Sequence, residues 1–554
     1  MSSTTLDDVF DAPAAPAAAP PRAAVAYPPL RGSDLVLGTF ALSLATFMNV
    51  LDSSIANVSI PAIAGDMGVS PSQGTWVITS FAVANAISVP LTGWLTQRFG
   101  QVRLFTASIV LFVIASWLCG LAPNIESLIL FRVIQGLVAG PMIPLSQTLL
   151  LASYPAAMAG TAMAMWAMTV LVAPVVGPLL GGWITDNISW PWIFYINIPI
   201  GAVSLLMVSR FVHEPEDIRV AMHAMAERQR KHLDWAGIGL LILGVGSMQY
   251  VLEEGNRNDW FASGEIKTIM FISIVTLILL LIREFSATVP AVDFSLFKDV
   301  VFMSGTMIGA VMFAMLMSVT FLLPLFMQTL LGFSATQSGI ALMPRSLCML
   351  VVMPIVGRIY NIVSPRIVIA FGILLFAYTA WLMGHYTLQT SNRDIMLVLV
   401  IQGVAFACLF IPLTTVALST IPRHRMPDAT GLNSLLRQIG GSIGLAIMAT
   451  LMTRFATRAR DAMLPNVTLA RPVVAARIQA MTAMLQSKGY DLVAARATAA
   501  RMLDFQIRQQ AMVLSFERLF YVCGIAFLCV LPLTLLLRSP HHGPAEKVDV
   551  HIEL

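Results

Sequence analysis

Apolar residues run through this chain in long blocks, and polar residues gather in the gaps between them. A helix needs about 20 apolar residues to cross the hydrocarbon of a bilayer. Blocks of that length recur from end to end and predict fourteen spans. The first six fall near 34–57, 76–95, 104–120, 127–152, 160–184 and 191–210. The seventh and eighth fall near 235–253 and 267–283. The last six fall near 300–322, 335–357, 366–385, 394–418, 431–452 and 516–538. The expected fold is an all-α polytopic membrane protein.

The polar gaps organise the rest. Residues 1–33 are polar, then Pro/Ala-rich, with no basic region leading into an apolar one. They predict an extended, disordered cytoplasmic tail rather than a signal peptide. The segment "FVHEPEDIRVAMHAMAERQRKHLD" at 211–234 predicts a cytoplasmic linker, and 539–554 a cytoplasmic C-terminal tail. Residues 453–515 form a long outside segment whose apolar residues recur at roughly helical spacing. Two readings stand for it: a solvated helical hairpin, or a docking surface for another envelope protein.

Charge sets the orientation. With both termini in the cytoplasm, the inner loops hold Arg98, Arg103, Arg210, Arg283, Lys298, Arg358, Arg366, Arg423 and Arg425. The short outer loops hold Arg257, Lys267 and Arg393. The excess of basic residues inside favours this topology and an even number of spans. Long translocated segments such as 453–515 escape that rule.

Composition narrows the class. Hydrophobic residues make up 57% of the chain, charged residues 11%, and the mean hydropathy is +0.80. A soluble domain carries about 25% charged residues, so bilayer is the expected solvent. The net charge of +4 is not gathered into a basic tract, which argues against a nucleic-acid partner. The five cysteines fall in no paired or metal-ligand spacing. No nucleotide loop, metal cluster or nucleophile–base arrangement appears, so no cofactor, no metal and no enzyme activity is expected.

Charges inside the spans carry the candidate chemistry. Asp52 lies in the first span, Arg132 in the fourth, Arg345 in the tenth and Arg437 in the thirteenth. Each ionised group costs about 2.5–3.5 kcal/mol at the centre of a span on insertion scales. Such residues face a protein interior or a water-filled cavity, and pairing Asp52 with Arg132 would neutralise two of them. Two readings remain: a structural ion pair, or a carboxylate that gains and loses a proton during a transport cycle. Candidate cavity-lining residues are Asn49, Asn85, Gln135, Gln147, Met163, Trp166, Gln402, Thr414 and Asn433, with Arg345 and Arg437. Asn49 and Asp52 share one helix face, as do Asn433 and Arg437.

Glycine and proline mark moving parts. In "APVVGPLLGG", Pro174 and Pro178 remove backbone donors, while Gly177, Gly181 and Gly182 permit close helix contact. In "GWLTQRFGQVR", Gly93 and Gly100 permit tight approach, and Arg98 and Arg103 are candidate latch residues. There is also an internal echo: "IQGLVAGPMIPLSQT" at 134–148 and "IQGVAFACLFIPLTT" at 401–415. Duplicated halves around a central site are a common transporter plan.

Taken in order, these segments resemble those of the EmrB/QacA-type drug:proton antiporters, the fourteen-helix branch of the major facilitator superfamily. "LDSSIANVSIPAI" resembles the first-helix motif, with Asp52 as its acid. "GWLTQRFGQVR" resembles the loop motif, "FRVIQGLVAGPMIPLSQ" the fourth-helix motif with Arg132, and "APVVGPLLGG" the fifth-helix antiporter motif. The resemblance implies two six-helix bundles, 34–210 and 300–538, with two inserted helices at 235–283. It implies export of hydrophobic, structurally varied compounds across a bacterial inner membrane in exchange for protons, with Asp52 and Arg132 in the coupling. It also implies a periplasmic adaptor of the EmrA type and an outer-membrane channel of the TolC type. A narrower exporter of fatty acids or a natural product is the neighbouring alternative, and a channel or membrane scaffold the distant one. The loop motif departs from the family at Gln97, where an acid is usual, so a charge-based latch needs a substitute there.

Overall fold

The computed structural model describes residues 33–154, 158–212, 234–287, 290–360, 362–468 and 470–537. The expected tails and nearly all of the expected linker lie outside the described residues. Among those described, fourteen helices are long and apolar enough to span a membrane. They are α1 (Asp34–Asp66), α2 (Ser72–Phe99), α3 (Gln101–Gly120), α4 (Ile125–Ser153), α5 (Gly160–Asn187), α6 (Trp192–Phe211) and α7 (Trp235–Glu254). They continue as α8 (Gly264–Ser286), α9 (Val300–Thr329), α10 (Gln337–Ile359), α11 (Pro365–Met383), α12 (Asn392–Leu418), α13 (Arg423–Asn466) and α14 (Leu492–Leu536).

Local chemistry shapes several of them. A 3-10 turn at Val89–Leu91, with Pro90 in its first turn, interrupts α2. Gly140–Pro141 interrupts α4, as expected where a ring removes a backbone donor. Gly100, at φ +85°, makes the abrupt turn from α2 into α3, a conformation that favours glycine.

The packing pattern repeats with an offset of eight helices. α1 packs on α5 and α6, α2 on α4, and α3 on α4. In the same way α9 packs on α13 and α14, α10 on α12, and α11 on α12. The echoed segments occupy equivalent places. A Cβ on Gly136 of α4 would lie 2.5 Å from the carbonyl of Phe81 on α2. A Cβ on Gly403 of α12 would lie 2.6 Å from the carbonyl of Arg345 on α10. The pair α7 and α8 packs on itself, and α7 also touches α2 and α13.

Over its described residues the segment 453–515 is largely helical. One helix runs unbroken over 38 residues from Met426 to Met463, and another over 37 residues from Leu492 to Leu528. At about 1.5 Å per residue each reaches well past a hydrocarbon core of about 30 Å. Between them the helix Pro472–Ser487 folds back on α14, burying Leu485 against Ala495 and Ala499. The guanidinium of Arg460 on α13 binds Asp504 on α14 at 2.8 Å. The run of Ala, Met, Gln and Arg has high helix propensity, which favours continuing the helices over ending them.

Candidate functional site

Asp52 sits in the middle of a buried polar network. Arg132 Nη1 donates to Asp52 Oδ2 at 2.5 Å, and both side chains are 0% exposed. Arg132 also donates to Gln135 Oε1 at 2.7 Å and, through Nε, to the carbonyl of Val77 at 3.0 Å. The Gln135 amide donates to Asp52 Oδ1 at 3.1 Å, and the Asn197 amide to the same oxygen at 2.7 Å. Asn197 also reaches Ser116 Oγ at 2.9 Å, and Ser116 donates to the carbonyl of Phe194. The guanidinium carbon of Arg132 lies 4.2 Å from the ring centre of Phe81 and 5.6 Å from that of Phe194. One carboxylate thus ties together α1, α4 and α6, with α2 and α3 closing the shell.

Burying two ions is costly, and only close pairing with further hydrogen bonds recovers it. Here both carboxylate oxygens accept bonds, so the carboxylate meets that condition, while Arg132 Nη2 and Asn197 Oδ1 are buried without partners. Protonating Asp52 would remove the charge opposing Arg132 and leave a buried cation. The network is then held less tightly and opens more readily. In this conformation Asp52 is sealed inside the first set of helices. Pairing removes the need for water that an isolated acid would have.

The other candidate residues divide. Asn49 donates to the carbonyl of Ala139 at 3.1 Å and fastens α1 to α4. Gln147, Gln402 and Asn433 are buried, and neither polar atom of any of them has a hydrogen-bond partner. Asn85 is half-buried and outside the Asp52 network. Met163 is buried in the main apolar core. Trp166 donates to Ser146 Oγ at 2.9 Å and stacks on Phe410 of α12 at 6.1 Å, bridging the two sets of helices. Arg437 donates to Thr414 at 2.7 Å and lies 5.4 Å from the ring of Phe313 and 5.3 Å from that of Phe410. Arg345 donates to Thr320 at 3.2 Å.

The glycine-rich segments act as contact surfaces. A Cβ on Gly177 would meet Ser54 Oγ at 2.5 Å, and one on Gly181 the carbonyl of Ile55 at 2.9 Å. These two residues let α5 lie against α1 beside Asp52. Gly182 is different: a Cβ there would find only Val58, at 3.9 Å. Pro174 and Pro178 are exposed, and the carbonyl of Pro174 accepts from Ser54 at 3.3 Å. A Cβ on Gly93 would lie 2.9 Å from the Cα of Asp428 and closer still to its carboxyl group. The Gln97 amide donates to Asp428 Oδ2 at 3.3 Å, so a neutral donor stands where the motif usually carries an acid. Arg98 and Arg103 are exposed, with Arg98 resting near the rings of Trp94 and Phe99.

The close approach at Gly93 belongs to a wider seam. Thr148 and Thr430 share a hydrogen bond at 2.9 Å, and a Cβ on Gly160 would meet the carbonyl of Gly357 at 2.9 Å. The ends of α2, α4 and α5 are thereby pressed against α13 and α10. Sequence reading missed Asn197, Ser116 and Asp428. An amide within the apolar run "FYINIPIG" was the available signal for Asn197. Nothing local marks Asp428, because its partner lies 331 residues away.

Comparison with known proteins agrees with this architecture. The family profile described as Major Facilitator Superfamily matches residues 42–445. The multidrug export protein EmrB of Haemophilus influenzae is 46% identical over 76% of this chain and 81% of its own length. EmrB of Escherichia coli is 41% identical over 92% of this chain and 97% of its own. The fatty acid resistance protein FarB of Neisseria gonorrhoeae is 40% identical over 93% of this chain and 99% of its own. Among solved structures, the human organic anion transporter MFSD10 shares the fold, with a TM-score of 0.53 at 12% identity over 90% of this chain and 100% of its own. The helix count, the buried acid–arginine pair and these full-length similarities make the chain a member of the major facilitator superfamily, in its EmrB/QacA-like fourteen-helix branch of secondary transporters.

Proposed function

We propose that this protein exports hydrophobic, structurally varied compounds across the membrane in exchange for protons, with Asp52 as the proton carrier and Arg132 as the group that senses its charge. The observation that carries the assignment of residues is the sealed Asp52–Arg132–Gln135–Asn197 network. A proton cannot reach that carboxyl without the network opening, and neutralising the carboxyl removes the charge that holds Arg132 in place. Charge and conformation are thereby linked. The membrane potential contributes about 2.3 kcal/mol per charge per 100 mV, enough to bias such a two-state element.

The seam through Gly93, Thr148 and Gly160 supports a cycle in which two six-helix bundles rock about a central site, with the face bearing the α2–α3 turn shut in this conformation. In our reading that face is cytoplasmic, as are both termini. The helical extension of α13 and α14, with the helix Pro472–Ser487, would then stand outside, where it suits an adaptor of the EmrA type leading to a channel of the TolC type. Fatty acids remain a second reading of the substrate, because FarB matches nearly the whole chain.

Reconstituted protein tests the core of the reading. Asp52→Asn should still insert and fold but lose gradient-driven dye export. Full gradient-driven export by this variant would remove Asp52 from the coupling. Deleting residues 460–510 should weaken co-purification with the adaptor, and an unchanged pull-down would favour a merely solvated hairpin.

A further inference from the structure

The second set of helices holds two buried guanidinium groups that lack the carboxylate partner Arg132 has. Among the described residues, no carboxylate lies within 4.0 Å of Arg345 or Arg437. Arg437 is 5% exposed, its one hydrogen-bond acceptor is the Thr414 hydroxyl, and its Nε has no partner. Its other neighbours are the ring faces of Phe313 and Phe410. One helical turn before it, both polar atoms of buried Asn433 are also without partners.

The location matters as much as the chemistry. Phe410 stacks on Trp166 of α5, so the Arg437 shell reaches the boundary between the two sets of helices. Seven residues earlier on α13, Thr430 joins Thr148 of α4 in the seam. Arg437 therefore lies about 10 Å behind the shut face. Arg345 lies further from the shut face. It binds Thr320, seven residues beyond Phe313 on α9, again about 10 Å on.

We infer that Arg437 is the specificity-determining group that holds the anionic head of any substrate that carries one, a carboxylate or comparable anion on an apolar body. This rests on the exporter reading above and specifies its ligand. A guanidinium presents five donors in a planar fork that suits carboxylate, and a hydroxyl with two ring faces occupies little of it. Separating α13 from α2 and α4 at the seam would admit the head to Arg437. The apolar body would lie on Phe410, Phe313 and Trp166. Within one molecule, Arg132 has its counter-ion built in, whereas that of Arg437 would arrive with the cargo.

Two fluorescent probes that differ only at the head test this: a dansyl fatty acid and its methyl ester, titrated onto the purified full-length chain. Wild type should bind the acid at least tenfold tighter than the ester. Arg437→Gln should abolish that preference by weakening the acid alone, while Arg437→Lys should keep part of it. Equal affinity of the wild type for both probes would overturn the inference, as would a Gln variant that loses both probes equally or neither. The two readings fail separately. Proton-driven export of a neutral dye by Arg437→Gln would leave the antiporter reading standing whatever the probes report, whereas unimpaired export by Asp52→Asn would count against the coupling assignment alone.

Discussion

Gly93→Ala is the sharpest perturbation of the shut face. The added methyl would lie 2.9 Å from the Cα of Asp428 and inside van der Waals distance of its carboxyl carbon and oxygen. A side chain can rotate away, but the backbone at Asp428 moves only if α13 moves. Asp428 is in the first turn of the helix Met426–Met463, and the nearby Gly431 also packs on α2, where a Cβ would meet the Val89 carbonyl at 3.0 Å. The whole end of α13 must therefore shift. Forced overpacking of this kind costs about 1–3 kcal/mol, which lowers the ratio of shut to open conformers about 5- to 150-fold. The assay is a distance measurement by electron-spin resonance between labels at exposed Arg98 and Arg423, in protein freed of native cysteines. Wild type should give a narrow short distance, and Gly93→Ala a broad distribution extending to longer ones. Asp428→Ala should partly restore the short distance in the double variant, because it removes the carboxyl group but leaves the backbone of α13 in the way of the new methyl. An unchanged distribution in folded Gly93→Ala protein would refute the claim that this close approach holds the face shut.

Other outcomes follow from the same geometry. Arg132→Leu leaves Asp52 buried without a cation and should destabilise the fold by about 3–5 kcal/mol, read as a lower melting temperature in detergent. Asp52→Asn leaves Arg132 without its counter-ion and should also destabilise, though by less, since the Asn amide oxygen can still accept a hydrogen bond from Arg132. Gly177→Leu should separate α5 from α1 and end transport, whereas Gly182→Ala should be silent because only Val58 is near. Equal transport by the two variants would contradict the packing role. Ala499→Glu should loosen the helix Pro472–Ser487 from α14 and speed limited proteolysis there, with dye transport into proteoliposomes unchanged.

How much was legible in advance depended on range. The fourteen spans could be read because a bilayer forces each one to be apolar over a fixed length, a local requirement. Asp52 and Arg132 stood out for the same reason: a charge in hydrocarbon is conspicuous wherever its partner lies. Their likeness to family motifs then tied them to one another. The helical extension at 453–515 was half visible, its periodicity showing but not its continuity with α13 and α14.

What the tertiary structure alone decided was pairing and closure. Asn197 completes the Asp52 network from 145 residues away, and Asp428 reaches Gly93 and Gln97 across the seam. Arg437 stands out along the chain as Arg132 does, but only the packing shows that no carboxylate among the described residues reaches it. Span identity is a sum over neighbours in sequence, which a linear reading performs well. Whether a buried charge has a partner depends on a few ångströms between helices that the chain separates by hundreds of residues, and only the folded packing sets that distance.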